Sequence, residues 1–222
     1  PEYGSSETFN WSILIEGKKQ ISGTSGTKAH FGVNQTCELV IGCTDPNAIN
    51  FNPQANVSDE SCNYPNGGSQ QLALDAGWNL VSSFIQLENM SIEAIMEPIL
   101  SQVIIVKDNL GLAYLPDFGF NGIGDWDNTQ GYQLKLYEEA VIDMTGVVVE
   151  PEQTPINLME GWNMIAYLRS EPASVDAIFD AFTSDIIIVK DVQGMAYLPE
   201  WEFNGIGDML AGQGYQIKLY AS

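Results

Sequence analysis

The chain has 222 residues, 45% hydrophobic and 10% aromatic, which is enough apolar material for real cores and excludes wholesale disorder. Eight Lys+Arg face 29 Asp+Glu, a formal charge of -21, so nucleic acid and anionic lipid are both repelled. No run approaches the ~18 apolar residues of a membrane span, and the first residues carry no charged-then-apolar leader, which reads as a mature or internal fragment.

Residues 1–41 are rich in Ser, Gly and Thr, with one clear apolar strand at 11–15 and a turn at Gly17 and Lys18. Further strand is expected between 31 and 40. The pattern predicts the tail end of a β-sheet domain.

Residues 42–68 are of another kind. Cys43 and Cys62 bracket a stretch holding Asp45, Asn47, Asn50, Asn52, Asn56, Asp59 and Glu60, with too few apolar groups for a core of its own. A cross-link or an ion must supply order. A Cys43–Cys62 disulfide would contribute about 3 kcal/mol by closing a loop of roughly 20 residues. The hard oxygen donors are of the type Ca²⁺ selects, with Asp45, Asn47, Asn50, Asn52 and Asp59 as candidate ligands, although the spacing is not that of an EF-hand loop. The alternative is a solvated loop of Asx turns with no metal. Cys37 could pair with Cys43 or Cys62, stay free, or bond elsewhere. Any bridge implies an oxidising, extracellular setting.

A duplication fills the rest of the chain. Gly77-Trp78-Asn79 returns as Gly161-Trp162-Asn163. Aligning 103–137 with 186–220 gives 23 identities in 35 positions at a constant offset of 83. The units are expected at 69–146 and 158–222, with an acidic, proline-bearing linker over 147–157.

Each unit reads as a small, β-rich α+β fold with one helix. Apolar β-rich runs start at Gly77 and Gly161. Ser91 and Ser174 are placed to cap the helices, and Ile92, Ile95, Met96 and Ile99 form a helical stripe that Val175, Ile178, Phe179 and Phe182 repeat. Continuous β-branched runs at 103–106 and 186–189 predict strands covered on both faces. Lys107 and Lys190 are expected to snorkel from their ends. Asn121-Gly122 and Asn204-Gly205 predict turns, and alternation through Tyr132, Leu134 and Leu136 predicts a half-buried strand. Residues 140–144 add a strand that the second copy lacks.

His30 is the only histidine, so a nucleophile–base pair has no evident source, and carboxylates are too abundant to single out a pair. No enzyme is expected. Tyr114, Phe118, Tyr197 and Trp201 surround the Leu-Pro turn of each copy; exposed, they would be a platform for sugar rings, and buried, they are core.

The stretch from Gly42 to Tyr64 resembles the GCTDP…DxSC module common in large secreted surface proteins of marine Bacteroidetes. The tandem GWN…IIIVKD…YLP…NGIGD…GQGYQIKLY unit looks like the repeat that often follows it near their C-termini. Residues 1–41 are similar to the closing strands of a β-sandwich-like domain that often precedes that module, and the module often carries a further cysteine where Ile49 stands here, which leaves the pairing of Cys37 open. The resemblance implies secretion and a non-catalytic role in adhesion, assembly or spacing at a cell surface, with other domains or subunits of the same assembly as partners. Alternatives are a carbohydrate-binding module of a secreted hydrolase, with glycan as partner, or a fibre protein of a marine phage particle.

Overall fold

The computed structural model describes residues 9–15, 19–25, 39–46, 48–59, 61–63 and 66–221. It divides into two compact units, Pro1–Leu39 and Val40–Ser222. In the first, β1 (Phe9–Ile15) and β2 (Lys19–Ser25) form an antiparallel hairpin, with Phe9 opposite Ser25 and Ile15 opposite Lys19. This contains the strand expected at 11–15. His30, Cys37 and most of the strand expected at 31–40 lie outside the described residues.

The second unit is α+β and predominantly β. Its first copy runs β3 (Gly67–Leu74), β4 (Gly77–Val81), β5 (Ile85–Gln86), α1 (Ile92–Met96), β6 (Val103–Lys107), β7 (Ala113–Leu115), β8 (Phe120–Asn121), β9 (Tyr132–Leu136) and β10 (Ala140–Val148). The second runs β11 (Gly161–Ala166), β12 (Ala173–Ser174), α2 (Val175–Phe179), β13 (Ile186–Lys190), β14 (Ala196–Leu198), β15 (Phe203–Asn204), β16 (Asp208–Met209) and β17 (Gly214–Leu219). The main sheets have equivalent antiparallel orders, β4-β9-β6-β7-β8 and β11-β17-β13-β14-β15. Even the bulges recur, between Val103 and Ile105 and between Ile186 and Ile188.

Alternation decides which side chains enter the core. Tyr132, Leu134 and Leu136 of β9 point inward and pack with Ile92, Ile95, Met96, Ile99, Val103 and Val106. Each such apolar side chain contributes roughly 1.5–3 kcal/mol on burial. In the second copy Tyr215 and Ile217 meet Val175, Phe179, Ile186 and Val189. The first copy has an extra layer, the sheet β3-β10-β5, which adds Leu72, Leu74, Ile142 and Met144 to its core.

Several expectations are revised. β3 has no counterpart in the sequence reading. β10 continues through Val147 and Val148, so the first residues assigned to the linker are strand paired with β3 and β5. Ser91 and Ser174 do stand at the N-cap positions, but neither side chain caps. Instead the Ile92 N–H donates to the Gly124 carbonyl and the Val175 N–H to that of Gly207, both at 3.0 Å. The positive φ of the NGIGD loop falls on Gly124 and Gly207 rather than on Gly122 and Gly205. Asn121 Oδ1 accepts from the N–H of Gly124, and Asn204 Oδ1 from that of Gly207, which fixes the turn that covers the helix start.

The two copies are joined backbone to backbone. Val81 bridges to Gln213 and Ile165 to Gln130. The Ser82 N–H donates to Gly212 O at 3.0 Å, and the equivalent Ala166 N–H donates to Thr129 O at 3.2 Å. These bridges and bonds form reciprocal pairs, so the copies are related by a local pseudo-two-fold axis. Ser82, fully buried, adds an asymmetric pair: its Oγ donates to Gln213 O at 2.6 Å and accepts from the Tyr167 N–H at 3.1 Å.

Candidate functional site

The repeated motifs resolve into parts with separate tasks. In GWN, the glycine takes a positive φ (92° at Gly77, 82° at Gly161), a conformation that other residues adopt only with strain. The asparagine turns inward and pins the preceding loop. Asn79 Oδ1 accepts from the Asp75 N–H and its Nδ2 donates to Asp75 O; Asn163 does the same with Met159. The aspartate of the VKD motif closes the next hairpin, with Asp108 Oδ1 accepting from the N–H groups of Leu110 and Leu112.

The tryptophan between that glycine and asparagine faces outward. Trp78 is 48% exposed on the outer face of its sheet, and Trp162 is likewise 48% exposed. Lys135 lies directly opposite Trp78 on β9, and Lys107 reaches across from β6. Their Nζ atoms stand 5.4 and 5.5 Å from the centre of the Trp78 ring. Lys190 and Lys218 stand 5.4 and 5.7 Å from that of Trp162. Each ring thus holds two ammonium groups by cation–π attraction. Lys107 and Lys190 do leave the strand ends, but they lean over aromatic rings rather than into an acidic surface.

Sequence reasoning passed over Trp78, Trp162, Lys135 and Lys218. The signal was present: Lys135 and Lys218 alternate with inward residues, and both recur at the repeat offset together with the tryptophans.

The anticipated ring platform divides. Tyr114 and Tyr197 are 5% and 4% exposed and belong to the two cores, so they present no ring to solvent. Phe118 and Trp201 are 80% and 75% exposed at the turns after Pro116 and Pro199, with Phe120 and Phe203 half-exposed beside them. Burial pushes the Tyr114 and Tyr197 hydroxyls above the usual tyrosine range. It also drives Tyr132 and Tyr215 up to about 12, partly offset by the N–H groups of Asp127 and Leu210 that donate to them.

In the cysteine module, Cys43 and Cys62 are joined as a disulfide. Its small core is Cys43 and Ala48, closed by Cys62 and by Val147 of β10. Glu88 anchors the module to the first repeat by accepting from the hydroxyls of Thr44 and Ser58. Three of the anticipated calcium ligands are engaged with the loop's own backbone. Asn50 accepts from the Asn63 N–H and donates to Ser61 O, Asn52 accepts from the Gln54 N–H, and Asp59 accepts from the Ser61 N–H. Hydrogen bonds from Ser61 hold the exposed Asp59 carboxyl below its ordinary range. The Asp45 backbone carbonyl accepts from the Ala48 N–H. Asn47 lies outside the described residues. Among the described residues, no three His, Cys, Asp or Glu side chains converge as metal ligands would.

Two shallow surface depressions lie in the repeat region. The one at the seam, beside Asn79, Leu80 and Gln213, presents one carboxylate, Asp75. The other, beside Thr183, Pro199 and Tyr220, presents only Glu200. Among the described residues no helix is long and apolar enough to cross a membrane. No family model, no curated protein and no solved structure matches the chain.

Proposed function

We propose that the chain is a non-catalytic, modular segment of an extracellular surface protein, serving adhesion, assembly or spacing alongside other domains or subunits of the same structure. The observation that carries this reading is the reciprocal seam: backbone bonds in both directions join the two repeats within one compact unit, which supports a spacing role. The disulfide is in keeping with an oxidising compartment.

Antibodies raised against the folded chain test the location. Gold label on the outer surface of intact producing cells is expected, and label confined to the cytoplasm would overturn the reading. A second reading, a sugar-binding module, draws on the exposed rings of Phe118 and Trp201. A glycan array with Trp201→Ala as control separates the two, since sugar-specific binding lost in that variant supports the second.

A further inference from the structure

Positive charge is scarce in this chain and is not scattered. Of its eight Lys+Arg, four are the lysines held over Trp78 and Trp162. Among the described residues the one ion pair is Arg169 with Glu152, so none of these four lysines has a carboxylate at salt-bridge distance. In a chain with 29 acidic residues, four of the eight cationic side chains thus stand without a direct carboxylate partner. If the lysines only covered the rings with their aliphatic stems, nothing would keep acidic partners from pairing with their ends.

We infer that Trp78 with Lys107 and Lys135, and Trp162 with Lys190 and Lys218, are twin binding sites for an acidic polysaccharide, a chain of pyranose rings bearing carboxylate or sulfate. Three features select this ligand. Two ammonium groups held close to one ring are preorganised to share an anion. The half of each indole left exposed beside the lysines adds apolar surface against which the C–H groups of a sugar ring can pack. Duplication supplies two equivalent sites, and a polymer with a repeating anionic unit can fill both, gaining avidity from the second contact. Nucleic acid also combines rings and anions, so a single-stranded oligonucleotide joins the titration below, and its binding at the same two sites as tightly as the acidic sugars would overturn this choice of ligand.

The inference rests on the non-catalytic reading above and names the ligand class that such a segment would grip. The test is calorimetric titration of the full chain, in EDTA and at low salt, with a hexameric oligouronate and a hexameric sulfated galactan. Cellohexaose, poly-glutamate and the single-stranded oligonucleotide serve as neutral, peptide and nucleic-acid controls. At least one acidic sugar is expected to bind at two sites per chain, weakening severalfold as salt rises from ~0.05 to ~0.5 M. The arm that binds tells carboxylate from sulfate.

The double variant Lys107→Gln/Lys135→Gln keeps polar, flexible side chains beside Trp78 and should stay folded, its Tm lowered by no more than a few degrees, while binding at one site. Adding Lys190→Gln/Lys218→Gln should abolish binding. The inference is overturned if neither acidic sugar binds, if any control binds as tightly, or if the glutamine variants bind like the parent. Shortened oligosaccharide recovered after the titration would overturn the non-catalytic reading and leave the twin sites standing.

Discussion

Gly131 and Gly214 face each other across the seam so closely that a Cβ added to Gly214 would lie 3.2 Å from the Cα of Gly131 and 2.9 Å from the carbonyl oxygen of Val81. The mirror contact holds: a Cβ on Gly131 would lie 2.9 Å from Ile165 O. Neither obstacle is a flexible side-chain end, so an alanine there must push the copies apart. Gly214→Ala is expected to destabilise the protein by about 1–3 kcal/mol. At this chain length that lowers the Tm by about 2–4 °C per kcal/mol, read by calorimetry. An unchanged Tm would mean that the seam is looser than described.

Ser82 offers a finer probe of the same junction. Its copy-two equivalent is Ala166, so alanine fits the repeated backbone at this point. Ser82→Ala should fold normally yet leave the buried Tyr167 N–H without the hydroxyl that accepts from it. The expected loss is about 1–3 kcal/mol in urea unfolding, with no change in circular dichroism.

Tyr132 and Tyr215 make stability sensitive to alkali. Their folded values, raised chiefly by burial to about 12, exceed the ordinary value of 10.0. Between those limits the unfolded chain loses protons that the folded chain retains, so unfolding is favoured as pH rises. The stabilisation is fully present below pH 10 and is lost as pH climbs toward about 12. Absorbance at 295 nm should show these hydroxyls ionising only with loss of structure, and the variant carrying Tyr132→Phe and Tyr215→Phe should flatten the decline.

The cysteine module is expected to depend on its disulfide. With a core of only Cys43 and Ala48 plus the flanking Cys62 and Val147, reduction should open 42–63 at a temperature where the repeats stay folded. Hydrogen exchange will show this as lost protection confined to the module. Because Asn50, Asn52 and Asp59 are engaged with the loop's own backbone, excess calcium against EDTA should leave the Tm unchanged. A rise of several degrees would instead assign an ion to the module.

Much of this was legible in the sequence because duplication repeats each signal. The strand through Tyr132, Leu134 and Leu136, the stripe from Ile92 to Ile99 and the Cys43–Cys62 bridge all rest on local patterns, and the fold keeps them. What escaped depends on contacts distant in the chain. β3, with its polar Gly-Gly-Ser-Gln-Gln start, carries little strand signal and is fixed by pairing with β10 some seventy residues on. Ser91 was a plausible cap by type, yet a carbonyl from Gly124 occupies that end of the helix. Tyr114 and Phe118 look alike as exposed aromatics in a list of residues; only the sheet turns one into the core and leaves the other in water.

A reciprocal junction is what a protein makes when one surface meets its own duplicate, the geometry of an isologous homodimer. Tethering the two halves replaces association from dilute solution with an encounter at an effective concentration near the millimolar range. Under that tether each half is free to drift: one bears the added layer of β3 and β10, and the other sets Met209 where its twin has Trp126. A lone repeat, cut from its neighbour, would expose the edges around Gly131 or Gly214 and find its best partner in another copy of itself.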